Sequence, residues 1–421
     1  MKMNSTRKIG TVAAALACAA CVDAMAASTV IRDFLDDTIS LVPNQFDVSL
    51  FERVTYTDNV KNSPKDRIDS VHFDTGLGIE AYRNKGDLSY GVSGEVSYDY
   101  YTRRSSDMNG WDWNITPFIK ASGLSDIHNL KLSLNMYGKI EPLSNSDLRY
   151  TRHYTTEALA TYDYARHEHW GFMLNGGYKY DYYPQDEFED YTKHTFTGSF
   201  VPYYRFNDDV KTGMRLQISK TAYDSNRVRS DSYKQTYNLF VDYRMNSFLE
   251  AYAEGGIEKR SYSGKARGSN GDRDWNWDFL AALRYSPTIR LKFELKSQFD
   301  IEDSTSGKSY GGGAAYVWDN SIAATWKPEA KYDFTAKAGI ESQNEVNCDD
   351  DTTEYYVLFR ASYRFNEHLN VYAQYKYDKV DFKYGYRKPG EWPANVLSSR
   401  GFTSDPDYYE NEVTVGVSYR F

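Results

Sequence analysis

The sequence predicts an all-β fold, a transmembrane antiparallel up-and-down β-barrel of about 18 strands with short periplasmic turns and longer extracellular loops. Three features predict it. Extended runs alternate apolar and polar residues, tight and long links alternate between the runs, and an aromatic and a basic residue before a turn close every second run.

The chain opens on a leader. Lys2, Arg7 and Lys8 precede an alanine-rich apolar stretch from Ile9 to Ala20, and Ala24-Met25-Ala26 is the small-x-small pattern that a signal peptidase cleaves. Residues 1–26 therefore read as a signal peptide, with export to the outer membrane as the consequence. Cys18 and Cys21 invite a lipoprotein reading, but neither has leucine three positions upstream. Cleavage removes three basic residues and one acid, leaving 47 Lys+Arg against 58 Asp+Glu, a formal charge of −11. So acidic a surface excludes nucleic acid as a partner. Cys348 alone of the cysteines survives cleavage, so no intrachain disulfide forms.

Mean hydropathy is −0.69, and the mature chain holds no run of about 18 apolar residues to make a membrane helix. A barrel escapes that test, because only alternate residues of each strand meet lipid. Residues 27–45 carry Ile31, Phe34, Leu35 and Ile39 at helical spacing and read as a short periplasmic segment. They are too few to fold as the plug of an energised siderophore transporter, whose barrel needs about 22 strands.

The barrel itself reads as residues 46–421, with strands near 46–56, 70–83, 88–102, 111–122, 129–140, 152–165, 170–182, 191–206 and 210–223. The second half follows as 232–245, 249–262, 275–286, 289–301, 316–327, 332–344, 354–365, 369–381 and 409–421. Tight links such as Asn84-Lys85-Gly86-Asp87, Asn246-Ser247-Phe248 and Asn366-Glu367-His368 alternate with long ones such as 263–274, 302–315 and 382–408. The closing punctuation recurs at Tyr204-Arg205-Phe206, Tyr243-Arg244-Met245, Arg284-Tyr285, Trp326-Lys327 and Tyr363-Arg364-Phe365. Its anchors Phe206, Met245, Tyr285, Trp326 and Phe365 lie 39, 40, 41 and 39 residues apart, the period of a repeated hairpin. In the last run Val413, Val415, Val417, Tyr419 and Phe421 share one face, and Glu412, Thr414, Gly416, Ser418 and Arg420 the other. A soluble sandwich also alternates in this way, but it leaves the tyrosine-rich apolar ends unexplained, whereas 39 Tyr suffice for two interfacial girdles. The terminal positions Val415, Val417, Tyr419 and Phe421 resemble the signal by which the barrel-assembly machinery of Gram-negative bacteria recognises outer-membrane barrels.

About eight strands leave an interior that side chains fill, whereas about 16–18 leave an aqueous channel, so transport is the expected function. Expected pore-lining bases are Arg205, Arg215, Arg290, Lys292, Lys296, Lys337, Arg360, Arg364 and Lys376. The expected acids are Asp74, Glu80, Glu95, Asp99, Glu250, Glu254 and Glu258. Opposed walls of opposite charge would orient dipolar solutes, whereas the plainer reading is the mixed charge that lines any water-filled lumen. Tyr137, Tyr203, Tyr223, Tyr252, Tyr356 and Tyr372 are candidates to stack on saccharide rings. The link 382–408, with Tyr384, Arg387, Lys388 and Trp392, is long enough to fold inward or to cover the mouth. No catalytic, cofactor or metal site is expected. His167-Glu168-His169 falls in a turn, and Asp349-Asp350-Asp351 reads as solvated loop charge rather than a calcium site.

Tyr56-Thr57-Asp58-Asn59-Val60 with Asp66 and Asp69, then Gly86-Asp87-Leu88-Ser89-Tyr90 and Tyr98-Asp99-Tyr100-Tyr101, resembles the β-barrel porin 2 family. That resemblance implies an outer-membrane channel associated with exopolysaccharide export, with export-complex partners; it implies no catalytic residues. The expected activity is passage or export of hydrophilic solutes, poly- or oligosaccharides among them. The competing class is a structural or adhesive barrel that only anchors its loops.

Overall fold

The computed structural model describes residues 45–60, 67–103, 108–124, 128–144, 147–165, 169–224, 230–263, 275–303, 314–345, 351–383 and 407–421. The leader, the segment before residue 45, Cys348 and most of the 382–408 link lie outside these residues. Eighteen strands form: β1 Gln45–Thr57, β2 Ser70–Lys85, β3 Leu88–Tyr101, β4 Gly110–Leu124, β5 His128–Ser144 and β6 Asp147–Tyr164. Next come β7 Trp170–Tyr182, β8 Lys193–Arg205, β9 Val210–Tyr223, β10 Ser232–Asn246, β11 Leu249–Tyr262 and β12 Trp275–Thr288. The last six are β13 Leu291–Asp303, β14 Ala314–Trp326, β15 Tyr332–Glu345, β16 Asp351–Arg364, β17 Leu369–Lys383 and β18 Tyr408–Arg420.

Each strand pairs antiparallel with its chain neighbours, and β1 pairs with β18 from Ser49↔Arg420 to Thr57↔Glu412. The sheet is thereby closed and has no free edge. The last residue joins the seam, with Phe421 N donating to Val48 O at 2.9 Å.

Closure with a period of two fixes two faces. Leu50, Val54, Leu77, Ile79, Val413, Val415 and Val417 all point outward and are exposed, as are Leu239 at 68% and Trp277 at 74%. So continuous an apolar exterior matches hydrocarbon rather than water, and the wall is transmembrane. Among the polar pairs that interrupt it, the Glu52 carboxylate accepts from Thr75 Oγ1, and Ser297 Oγ donates to Asn320 Oδ1 at 2.7 Å. Each finds its partner on the adjacent strand, as polar groups facing lipid must.

The punctuation at the short-turn rim has a physical basis. Asn207, Asn246 and Asn366 each turn Oδ1 back to accept two backbone N–H groups two and three residues on, at 2.7–3.0 Å. Outside that turn Tyr204–Phe206, Tyr363–Phe365 and Tyr419–Phe421 repeat one edge-to-face pairing, at 77°, 83° and 77° between rings. Gly86 supplies the positive φ, 58°, that the two-residue β2–β3 turn requires.

Most boundaries shift by a few residues from the expected ones, and two of the shifts have a clear cause. Ile289 and Arg290 form the β12–β13 turn instead of beginning a strand, with Thr288 Oγ1 accepting from Arg290 N and Leu291 N. β5 and β6 run on to 128–144 and 147–164, because backbone pairing continues through Ile140↔Arg152 beyond the apolar span. Polarity marks where strands leave lipid, not where they stop.

Candidate functional site

The inward phase of the strands makes the lumen, and it holds every expected lining residue but one. Asp74, Glu80, Glu95 and Asp99 line β2 and β3, Arg205 lines β8 and Arg215 lines β9. Glu250, Glu254 and Glu258 line β11, Lys292 and Lys296 line β13, and Lys337, Arg360, Arg364 and Lys376 line β15 to β17. Arg290 is the exception, standing exposed in the turn at the rim.

Charge is not divided between opposed walls. The acids of β11 are met by neighbouring bases: Arg215 on Glu254 at 2.9 Å, Lys234 on Glu258 at 2.6 Å and Arg284 on Glu250 at 2.7 Å. Lys234 also reaches Asp300 on β13 at 2.6 Å. Its ammonium thus bonds two of the three carboxylates, Glu258, Asp278 and Asp300, that form the one group of three close enough for a metal ion among the described residues. Below it Asn238 donates to Glu254 and Asp278 at 3.0 and 2.7 Å, and the Tyr252 hydroxyl donates to Glu254. The result is a bonded polar ladder on the inner wall.

The division runs along the barrel axis instead. At the short-turn rim Arg205, Lys211, Arg244, Arg284, Arg364 and Arg420 point inward, and several meet acids: Arg420 meets Asp47, and Arg284 meets both Glu250 and Glu294. Toward the long-loop rim, over β16 to β18 and β2 to β4, inward positions carry Glu354, Asp378, Glu410, Glu412, Asp74, Asp99 and Asp112. Among the described residues the inward cations of that arc are Arg53, bridging Asp74 and Glu95 at 2.8 and 2.9 Å, Lys376, 2.5 Å from Asp378, and Arg360 on β16. His72 shares a 2.7 Å contact with Asp99. Acids prevail in this half.

The lumenal aromatics lie on glycines. A Cβ on Gly416 would fall 2.3 Å from the Tyr372 ring, one on Gly339 2.3 Å from Tyr356, and one on Gly171 2.5 Å from the Tyr203 hydroxyl. Phe51 and Phe240, unremarked in the sequence, cover Gly76 and Gly213 in the same way. Cations approach the same rings: Arg360 lies 4.0 Å from the Tyr372 centroid, Lys337 5.0 Å from Tyr356, Arg53 4.2 Å from Phe51 and Arg205 5.2 Å from Tyr203. Tyr252 stacks on Phe240, and Tyr137 meets His153 edge-on. Tyr223 takes an inward position opposite Lys193. Tyr137, Tyr203, Tyr252, Tyr356 and Tyr372 are thus engaged with the wall.

At the long-loop mouth Asn59 is fully buried and donates to Tyr409 O at 2.9 Å, while the Tyr150 hydroxyl crosses from β6 to donate to Val60 O at 3.0 Å. Asn59 and Val60, at the start of the β1–β2 link, are thereby held by both β18 and β6. Thr155, His153 and Asp181 cluster on the inner wall, but the same atom, His153 Nε2, faces both partners, at 2.8 and 3.5 Å.

No family model and no curated protein matches this chain. Among solved structures it is similar to OccAB3 of Acinetobacter baumannii, at 12% identity over 90% of this chain and 100% of that one, with a TM-score of 0.44. It is also similar to OpdO of Pseudomonas aeruginosa, at 12% identity over 90% and 98% of the two chains and a TM-score of 0.48. A third likeness is to the FrpB iron transporter of Neisseria meningitidis, at 10% identity over 89% and 81% and a TM-score of 0.46. At TM-scores below 0.5 these likenesses carry no argument about what this lumen passes.

Proposed function

We propose that this protein is an outer-membrane channel that passes or exports hydrophilic solutes, poly- or oligosaccharides among them. One observation carries the reading: a closed 18-stranded wall, apolar outside, presents a charged and hydroxyl-rich face to an interior too wide for side chains to fill. A merely structural barrel has no use for that polar lining. Saccharide passage draws on the resemblance of residues 56–101 to the β-barrel porin 2 family, and on tyrosine hydroxyls in the lumen. Export would follow cleavage of the leader near Ala26, and assembly would follow recognition of Val415, Val417, Tyr419 and Phe421. Single-channel recording in planar bilayers tests the reading. Discrete conductance steps, transiently blocked by added oligosaccharide, are expected; a protein that inserts without steps would be the anchor of its loops instead.

A further inference from the structure

We infer that the lumen holds a binding niche for neutral oligosaccharide just inside the short-turn rim, over Gly78 on β2. The inference rests on the channel reading and adds to it a place and a substrate class. A cavity of about 530 Å³ lies there on the inner wall, bounded by β1 to β4 on one side and by β18 and the β16–β17 turn on the other. Its floor is one register row: Arg420 stands opposite Ser49, Ser49 opposite Gly78, Gly78 opposite Glu95, and Glu95 opposite Asn114. The glycine makes the hollow. Gly76, Gly339 and Gly416 are each covered by an aromatic ring, whereas the atom nearest to a Cβ on Gly78 would be Ser49 Oγ, at 2.6 Å. The notch over Gly78 therefore stays open and presents a hydroxyl.

The groups around the hollow are both donors and acceptors. Glu80, Asn114 and Arg364 are exposed, and their side chains make no hydrogen bond or ion pair with the described residues. Glu95 gives Oε1 to Arg53 at 2.9 Å and keeps Oε2, while Arg420 is held by Asp47. Carboxylates thus face the cavity from β2 and β3, and a guanidinium faces it from the end of β16. A sugar hydroxyl both donates and accepts, so one polyol satisfies the two sets at once: the carboxylates take its O–H groups and the guanidinium gives N–H to its oxygens. A simple anion would meet Glu80 and Glu95, and a simple cation Arg364 and Arg420. A zwitterion is the rival, but it would leave unused the neutral side chains that share the lining, Ser49, Ser93, Ser418, Asn114 and Asn370. The volume falls in the range, about 300–1,000 Å³, of pockets that take drug-sized ligands, the size class of a di- or trisaccharide. A saccharide held here stands at the periplasmic entrance of the pore.

The test is transient block of single-channel current by maltohexaose, with the full-length refolded protein in planar bilayers. Discrete blocked intervals are expected. Glu80→Gln, Asn114→Ala and Arg364→Gln should each shorten them about 2–10-fold, the loss of one hydrogen bond, while the open steps persist. None of the three side chains bonds the described wall, so each variant should fold. Maltose should compete with maltohexaose and make the intervals rarer, whereas the zwitterion triglycine at the same concentration should not. Intervals unmoved by the three variants, or made rarer by triglycine as by maltose, overturn the niche and leave the channel reading standing. Steps with no block by maltohexaose overturn it likewise. Absence of steps in the unmodified protein overturns both.

Discussion

The two rims of the barrel solve the same problem, ending a strand, by different means. At the short-turn rim one device recurs: an asparagine that caps the turn, an aromatic pair outside and an arginine inside. Among the described residues of the long-loop rim the solutions are individual, each burying a particular side chain such as Asn59, Val60, Met108 or Phe188. A repeated device spreads stability over many weak parts, whereas a unique one concentrates it.

Substitutions can break or sharpen that contrast. Phe188, 1% exposed in the short 3-10 helix Asp186–Tyr191 of the β7–β8 link, should matter most. Phe188→Ala should cost about 3 kcal/mol in urea unfolding from lipid vesicles and open the link to protease. Asn366→Ala removes the acceptor of two backbone N–H groups and should cost about 1–2 kcal/mol in the same titration. Tyr150→Phe deletes only the bond to Val60 O, so a loss of about 1 kcal/mol is expected, with noisier open-channel current as the β1–β2 link loosens. Arg284→Ala should be mildest, under about 1 kcal/mol, because its two acid partners sit in solvent that screens them. If Arg284→Ala proved costlier than Phe188→Ala, the contrast between the rims would be wrong.

The repeated rim is also the legible one. Short-range pattern wrote it: Asn after an aromatic fixed where β8, β10 and β16 stop, and alternation fixed which way Arg205, Arg244 and Arg364 point. Arg290 was misplaced because alternation continues through a turn without marking it. What the sequence hides is adjacency across strands. Nothing local joins Arg53 to Glu95, two strands away, or Lys234 to Asp300, three strands away, or sets Gly416 under Tyr372. These contacts depend on register and on the curvature of the closed wall, which only the assembled sheet supplies. For the same reason opposed walls could not be told from a mixed lining in the sequence: inward signs were readable, but their heights and neighbours were not.

The glycine-backed rings have a consequence for how this channel can change over evolutionary time. Because each ring fills a notch in its own wall, trimming Tyr356 or Tyr372 to alanine would dent the lining and leave the calibre to the backbone circumference. Size exclusion is then inherited with the strand number, while preference among solutes that fit is free to drift, one polar substitution at a time.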